Sequence, residues 1–522
     1  MLGALTQLSE LLEISLHCLK TRRSEVTQSQ NSHDLLIIGG GINGVGIAAD
    51  ASGRGLDVVL CEKADLASAT SSSSSKLIHG GLRYLENYEF AMVRKSLKER
   101  ELLIEAAPHV IQPMAFHIPQ LPHSRSGLLL RAGLFLYDNL ASRKRFGRSR
   151  GIRMDDDGPL NSAIRHGFEY WDAQVDDSRL VVLNALQAKK HGANIQTRTE
   201  CTAIEAGDQG WSVTLSNKDS NVDTKLNVKA IVNATGPWVA SVEKNIVKQA
   251  AAHNIRMVKG SHIVVPRIHS GKQAYLLQHH DGRVIFVIPY LQKYSLVGTT
   301  DQEFTGDPDQ AEISNEEITY LISIVNLYFK KSILRSDIVY SFAGVRPLIE
   351  ELGKDASSVS RDYRLELGTQ PHPLLSIYGG KVTTYRILAE EAMNKLQGIF
   401  PDMGPAWTSK AKLPGGDFDL PENLFGQLTS RYAWLGPDII SRWQNSYGTI
   451  SFEILGDAKG TEDLGVKFGQ NLYQKEVDYL CNNEWAKTAD DILWRRSKLG
   501  YGFSRSERTS LANYIEQSFP PS

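Results

Sequence analysis

Cysteine is scarce. The 522-residue chain has four, Cys18, Cys61, Cys201 and Cys481, far apart and with no C-x-x-C pair. That excludes a disulfide scaffold or a zinc ribbon and fits a reducing compartment. Long apolar runs are missing, so no bilayer-spanning segment is expected. No sign of charge dominates either, with 58 basic side chains against 59 acidic ones. A net charge of −1 argues against a protein whose main task is binding nucleic acid. There is no internal repeat, and the single low-complexity tract is Ser71 to Ser75. What remains is ordinary globular composition, 41% hydrophobic and 22% charged, which excludes a disordered or collagen-like chain. The length suggests about three domains at roughly 150 residues each.

The informative region begins at Asp34. Asp34-Leu35-Leu36-Ile37-Ile38 is a short apolar run, as in a buried parallel strand, and it enters Gly39-Gly40-Gly41-Ile42-Asn43-Gly44, which fits G-x-G-x-x-G. Small residues from Val45 to Ala51 suit a helix lying close on a sheet, and a second apolar run, Asp57 to Cys61, ends at Glu62. Each part has a mechanical reason. Gly39 allows the tight turn, Gly41 lets backbone N–H groups approach a pyrophosphate, and Gly44 permits close helix packing. Glu62 stands where a carboxylate binds the ribose hydroxyls. Strand, glycines, helix, strand and acid in that order indicate a dinucleotide site.

Two later segments favour a flavin over a nicotinamide nucleotide. Lys229 to Gly236 is an apolar strand ending in Ala234-Thr235-Gly236, of the kind that two-dinucleotide-binding flavoproteins return beside their first sheet. Leu374 to Tyr378 reads as another strand, broken at Gly379-Gly380 and continued by a helix from Lys381 to Leu396. Such a junction is a second helix terminus that favours negative charge. Between them, Lys259–Pro266, Gly282–Tyr290 and Ser295–Asp301 alternate like an antiparallel sheet. At the ends, residues 1–32 have the leucine spacing of a short amphipathic arm without a secretory signal. Beyond Leu413-Pro414-Gly415-Gly416, the segments look helical.

The stretch from Ser71 through Lys76-Leu77-Ile78-His79-Gly80-Gly81-Leu82-Arg83-Tyr84 resembles the flavin-contacting signature of FAD-dependent glycerol-3-phosphate dehydrogenases. Asn233–Trp238, Lys259–Pro266, Val297–Asp301, Gly344–Leu348 and Gly379–Tyr385 resemble other motifs of that family, in family order. The resemblance implies FAD and oxidation of sn-glycerol 3-phosphate to dihydroxyacetone phosphate. It also implies electron delivery to a membrane quinone, for which the protein is expected to attach peripherally to the inner face of the plasma membrane; a homodimer is one option, and the sequence leaves the oligomeric state open. The implied fold is α/β. A Rossmann-like FAD domain (segments near 33–110, 170–260 and 340–400) is interleaved with an antiparallel substrate sheet, mainly 255–340. Together these make a body over 33–402, followed by a helical domain over 403–522.

The chemistry needs a hydride acceptor, a proton acceptor and cations for a phosphate. Bidentate guanidinium suits the phosphate. The expected phosphate group is Arg83, Tyr84 and Arg361, and the expected catalytic set is His79, His262, Arg346 and Lys381. Both His79 and His262 stand in motifs as proton acceptors, and the sequence does not choose between them. FAD is expected against Gly39, Gly41, Asn43, Gly44, Glu62, Lys63, Ser74, Ser75, Lys76, Gly80, Gly81, Ala234, Thr235, Gly236, Trp238, Gly379, Gly380, Lys381, Thr383 and Thr384. No metal is expected. The apolar segment Gly127–Tyr137, followed by Arg143, Lys144, Arg145, Arg148, Arg150 and Arg153, reads equally as a lipid-docking helix or as a core helix with a solvated basic loop. Two rivals stand beside the dehydrogenase: an oxygen-using glycerol-phosphate oxidase, and a non-enzymatic binding protein on the same scaffold, similar to the GDP-dissociation inhibitors of small GTPases.

Overall fold

The computed structural model describes residues 32–121, 126–350 and 362–520. The N-terminal arm and Arg361 lie outside these described residues.

Two sheets form the body. The first is parallel at its centre, in the order Leu374–Tyr378, Val222–Asn233, Ser32–Ile38, Val58–Cys61, Asn194–Gln196. Strand Arg364–Gly368 closes one edge antiparallel, and an antiparallel meander, Thr199–Ala206 and Trp211–Asn217, leads into Val222–Asn233. Leu35, Leu36 and Ile37 are wholly buried, which is why this strand reads as a continuous apolar run rather than an alternating one. Helix Ile42–Gly53 lies between helices Asp177–Lys190 and Tyr385–Lys395. Its small residues set the spacing. A Cβ on Gly46 would stand 2.7 Å from the Tyr385 ring, and one on Gly53 would stand 2.1 Å from Trp407.

The second sheet has ten strands and is antiparallel except where Ala274–Gln278 runs beside Ile111–Pro119. It is wider than the expected 255–340. Leu77–Ile78, Ile111–Pro119, Arg150–Arg153 and His166–Val175 belong to it, as does Tyr340–Ile349, which pairs along almost the whole of Ile255–Pro266. The early strands escape a sequence reading because their partners are separated by the helix Gly127–Asn139. The 166–175 strand, expected near the start of a flavin segment, therefore serves the other sheet.

The C-terminal part is helical as expected, with a two-stranded hairpin, Lys467–Gly469 and Leu472–Tyr473, added. Its own core surrounds Trp443, Leu480 and Leu511. Buried charge joins it to the body. Arg179 pairs with Glu484, and Arg496 pairs with Asp65 at 2.7 Å, all four side chains at most 2% exposed. Removing one partner of such a pair strands a buried charge, so these bridges fix the orientation of the two parts more than they add stability.

Candidate active site

A cavity of about 520 Å³ runs between the two sheets, from the carboxyl ends of the parallel strands to the antiparallel sheet. This is the crevice where open α/β sheets bind ligands.

The glycine turn at its head has the shape expected from its sequence. Gly39 has φ +113°, and its N–H donates to Cys61 O at 2.8 Å. A Cβ on Gly44 would stand 1.9 Å from Gly39 O, so Gly44 serves packing and does not line the cavity. Gly41 caps the helix without a side-chain hydrogen bond of its own, and the first helical N–H, that of Ile42, donates to Ser71 Oγ at 3.0 Å, both residues lining the cavity. Glu62 lines the cavity at the end of the second strand, where its carboxylate accepts from the N–H groups of Gly40 (2.7 Å) and Ala64 (2.8 Å). Burial pushes the Glu62 carboxyl up, against the pull of those two donors. Asn43 joins this turn to the second one by donating to Gly379 O at 3.2 Å, and Gly379 and Gly380 have φ +77° and +101°. Two left-handed glycine turns and a helix N-terminus around one cavity fit a dinucleotide. Ala234, Thr235, Gly236, Trp238, Lys63 and Thr383 complete that wall.

Beneath the middle of the cavity runs the serine loop. Ser74 and Ser75 line the cavity, and Lys76 does not. Lys76 has φ +57°, and its ammonium turns back to Asp177, 2.9 Å away, with both side chains at most 4% exposed. Asp177 also accepts from the Ser74 hydroxyl at 2.7 Å. Burial opposes ionisation of Asp177, but Lys76 and Lys498 outweigh it and hold the carboxyl below its usual range. Lys76 thus supports the loop rather than touching a ligand.

Three cations line the same cavity. Arg346 donates from Nη1 to Asp301 and from Nη2 to Thr299 Oγ1 at 2.9 Å. Arg83 Nη1 stands 3.9 Å from the other Asp301 oxygen, and Lys381 Nζ lies 4.7 Å over the Tyr84 ring. Arg83, Tyr84, Arg346, Lys381 and His79 all line the cavity. His262 does not. It is 1% exposed, accepts from or donates to Ser75 Oγ at 3.0 Å, and stacks on Phe342 at 4.9 Å. Burial, then Arg346 and Lys76, hold it uncharged, its pKa well below the ordinary imidazole value. His262 is a core histidine behind the serine loop. Its alternation on a strand was legible, but the second partner strand that covers it was not.

Gly80 and Thr384 also stand behind the wall. Gly80 N–H donates to Tyr137 OH at 2.8 Å, where a Cβ would meet Leu97 and that hydroxyl at 2.5 Å, and Thr384 is fully buried. Asp301, Thr299 and Gln278 are among the wall residues that sequence reasoning missed. Asp301 and Thr299 sat inside a quoted motif, where the acid beside glycine and threonines was the available signal. Gln278 had none.

Fold and cavity together define a dinucleotide-dependent oxidoreductase. Residues 34–386 match the family model of the FAD-dependent oxidoreductases, and residues 406–516 match the C-terminal domain of alpha-glycerophosphate oxidase. The chain is 50% identical over 491 residues to a glycerol-3-phosphate dehydrogenase of Pseudomonas aeruginosa, covering 94% of this chain and 96% of that one. It is 44% identical to the aerobic glycerol-3-phosphate dehydrogenase of Escherichia coli, covering 92% and 97%, and 45% identical to a D-erythritol 1-phosphate dehydrogenase of Brucella abortus, covering 93% and 98%. In fold it is similar to the glycerol-3-phosphate dehydrogenase of Bacillus halodurans complexed with FAD, with a TM-score of 0.74 and 24% identity over 95% of this chain and 92% of that one. The chain belongs to the FAD-dependent oxidoreductase family, in its glycerol-3-phosphate dehydrogenase group, and its cofactor is FAD.

Proposed function

We propose that the protein oxidises sn-glycerol 3-phosphate to dihydroxyacetone phosphate and passes the electrons to a membrane quinone. The observation that supports it most is that Arg83, Arg346 and Lys381 line the same cavity as the dinucleotide turns. When bound there, the flavin supplies the hydride acceptor that no side chain provides. Arg346 and Arg83 hold the phosphate by charge-assisted hydrogen bonds, with Asp301 keeping both guanidiniums in place before substrate arrives. His79, on the wall beside Lys381 and Tyr84, takes the C2 hydroxyl proton as the C2 hydride leaves.

Anaerobic mixing tests this reading. Glycerol 3-phosphate bleaches the flavin band of the purified yellow protein, and in His79→Asn bleaching slows by about 10²–10⁴-fold while flavin binding persists. A flavin band that stays unbleached in the unaltered protein overturns the substrate reading. Equal rates overturn the role of His79. Stoichiometric hydrogen peroxide during turnover overturns the quinone.

The acceptor implies contact with a bilayer. Among the described residues, no helix is long and apolar enough to cross one. Helix Gly127–Asn139 nevertheless buries Leu134 and Tyr137 while Leu128 is 85% and Phe135 66% exposed, together with Leu129 and Leu136. Lys144, Arg145, Arg148, Arg150 and Arg153 lie exposed just beyond it. An apolar face flanked by cations suits the inner leaflet of a plasma membrane, at about 1 kcal/mol per basic residue near an anionic surface. Leu128→Ser/Phe135→Ser is expected to weaken co-sedimentation with anionic vesicles at least tenfold, leaving anaerobic flavin reduction intact. Undiminished sedimentation sinks this surface.

A further inference from the structure

One polar side chain on the cavity wall has no task in the scheme above. Gln278 ends strand Ala274–Gln278 and is 8% exposed, and its Oε1 is buried without a hydrogen-bond partner. Its neighbours on the wall are Leu276, Val284 and Phe286, none of which offers a polar side-chain atom. A buried amide oxygen without a partner is costly, and a native structure that keeps one facing a cavity commonly satisfies it with a ligand.

The sheet register says what it faces. Leu276 pairs with Phe286, Phe286 with Gly298, and Gly298 with His262, so Ala274–Gln278 is two strands from Tyr294–Gly298. The Arg346 side chain crosses Gly260, where a Cβ would stand 2.3 Å from Nη2, and reaches Thr299 at the end of Tyr294–Gly298. The guanidinium and the Gln278 backbone are therefore about two strand spacings apart, roughly 10 Å. A short polyol phosphate with its phosphate on Arg346 extends from there toward the strand that carries Gln278.

We propose that Gln278 is a specificity-determining residue that hydrogen-bonds the terminal hydroxyl of the polyol phosphate, the hydroxyl farthest from the phosphate and adjacent to the oxidised carbon. The inference rests on the substrate reading above and goes further by assigning the reader of the chain's far end. An amide accepts from a hydroxyl and donates to it, so it selects polyols over deoxy analogues and over chains ending in a charged group. A site built to bond a hydroxyl rejects an analogue lacking it, because its own polar group is then left unpaired.

The test crosses two enzymes with two substrates. Glycerol 3-phosphate and propane-1,2-diol 1-phosphate, which lacks only the terminal hydroxyl, are compared by anaerobic flavin reduction in the unaltered protein and in Gln278→Leu. The unaltered protein is expected to favour glycerol 3-phosphate by tenfold to a hundredfold in kcat/KM, and Gln278→Leu to reduce that preference below threefold, mainly by losing the natural substrate. Gln278→Glu, which keeps the shape and adds a charge beside the cavity, is expected to weaken both substrates. Competitive inhibition by inorganic phosphate is expected to be unchanged in Gln278→Leu, since the phosphate end is untouched. A preference that survives in Gln278→Leu overturns the proposal, as does an equal loss on both substrates. A selective loss of reoxidation by a soluble quinone also overturns it, assigning the amide to the acceptor instead. Failure of the unaltered protein to reduce its flavin with either compound refutes the substrate reading itself, which is a different result.

Discussion

Arg346→Ala is expected to lower kcat/KM for glycerol 3-phosphate by about 2–4 kcal/mol, a factor of roughly 30 to 1,000. The guanidinium is the best-anchored cation on the wall, tied to Asp301 through one nitrogen and to Thr299 through another. Preorganisation of this kind lets it meet a phosphate without first losing side-chain freedom. Its removal has a second consequence. Asp301 loses its close partner while Arg83 stays at 3.9 Å, so its carboxylate is less compensated where a dianion must bind. Arg346→Lys is expected to recover little, because an ammonium cannot bridge Asp301 and Thr299 while presenting a donor to the substrate. Asp301→Asn/Arg346→Ala is then less impaired than Arg346→Ala alone, since the negative charge facing the dianion is gone. Steady-state kinetics beside a thermal melt and a flavin spectrum check these outcomes. Kinetics of Arg346→Ala within threefold of the unaltered protein would falsify the phosphate assignment.

How far the sequence could be read depended on whether a residue's role is set by its chain neighbours. The dinucleotide turn was legible because Gly39, Gly41 and Gly44 answer to backbone geometry within six residues, and Glu62 follows at the end of the next strand. The cationic residues Arg83, Arg346 and Lys381 were found through motif context and do line one cavity. Lys76 went astray because its contiguity with Ser74 and Ser75 suggested a shared wall. A left-handed backbone at Lys76 instead sends it to an aspartate 101 residues away. His262 failed for a similar reason. Its strand is flanked by Tyr294–Gly298 on one side and Tyr340–Ile349 on the other, and Phe342 and Ser75 close over the ring. Gln278 and the bridges Arg179–Glu484 and Arg496–Asp65 owe everything to tertiary closure, and no local pattern announces them.

The glycine turn carries the other large effect. A methyl group at Gly44 would stand 1.9 Å from the carbonyl oxygen of Gly39, a backbone atom with no rotamer to change. Either the turn or the helix has to move. The helix has little room to withdraw, because even a single added Cβ would stand 2.7 Å from the Tyr385 ring at Gly46 and 2.1 Å from Trp407 at Gly53. The turn therefore opens, and it is held by Gly39 N–H on Cys61 O and by Ala234 N–H on Ile38 O at 2.9 Å. Opening it displaces the N–H groups at the start of helix Ile42–Gly53, which are the groups a pyrophosphate needs. Gly44→Ala is thus expected to purify with little or no FAD, to weaken FAD binding at least a hundredfold on reconstitution, and to show no substrate bleaching. The second sheet and the C-terminal part have hydrophobic cores of their own, so far-ultraviolet circular dichroism should stay close to that of the unaltered protein. Gly133→Ala is the matched control. It lies in helix Gly127–Asn139 with nothing within 4 Å of the added methyl, and it is expected to keep full flavin and gain up to about 1 kcal/mol in stability. A yellow Gly44→Ala protein with stoichiometric FAD would show that the turn tolerates a side chain and that the pyrophosphate is held elsewhere.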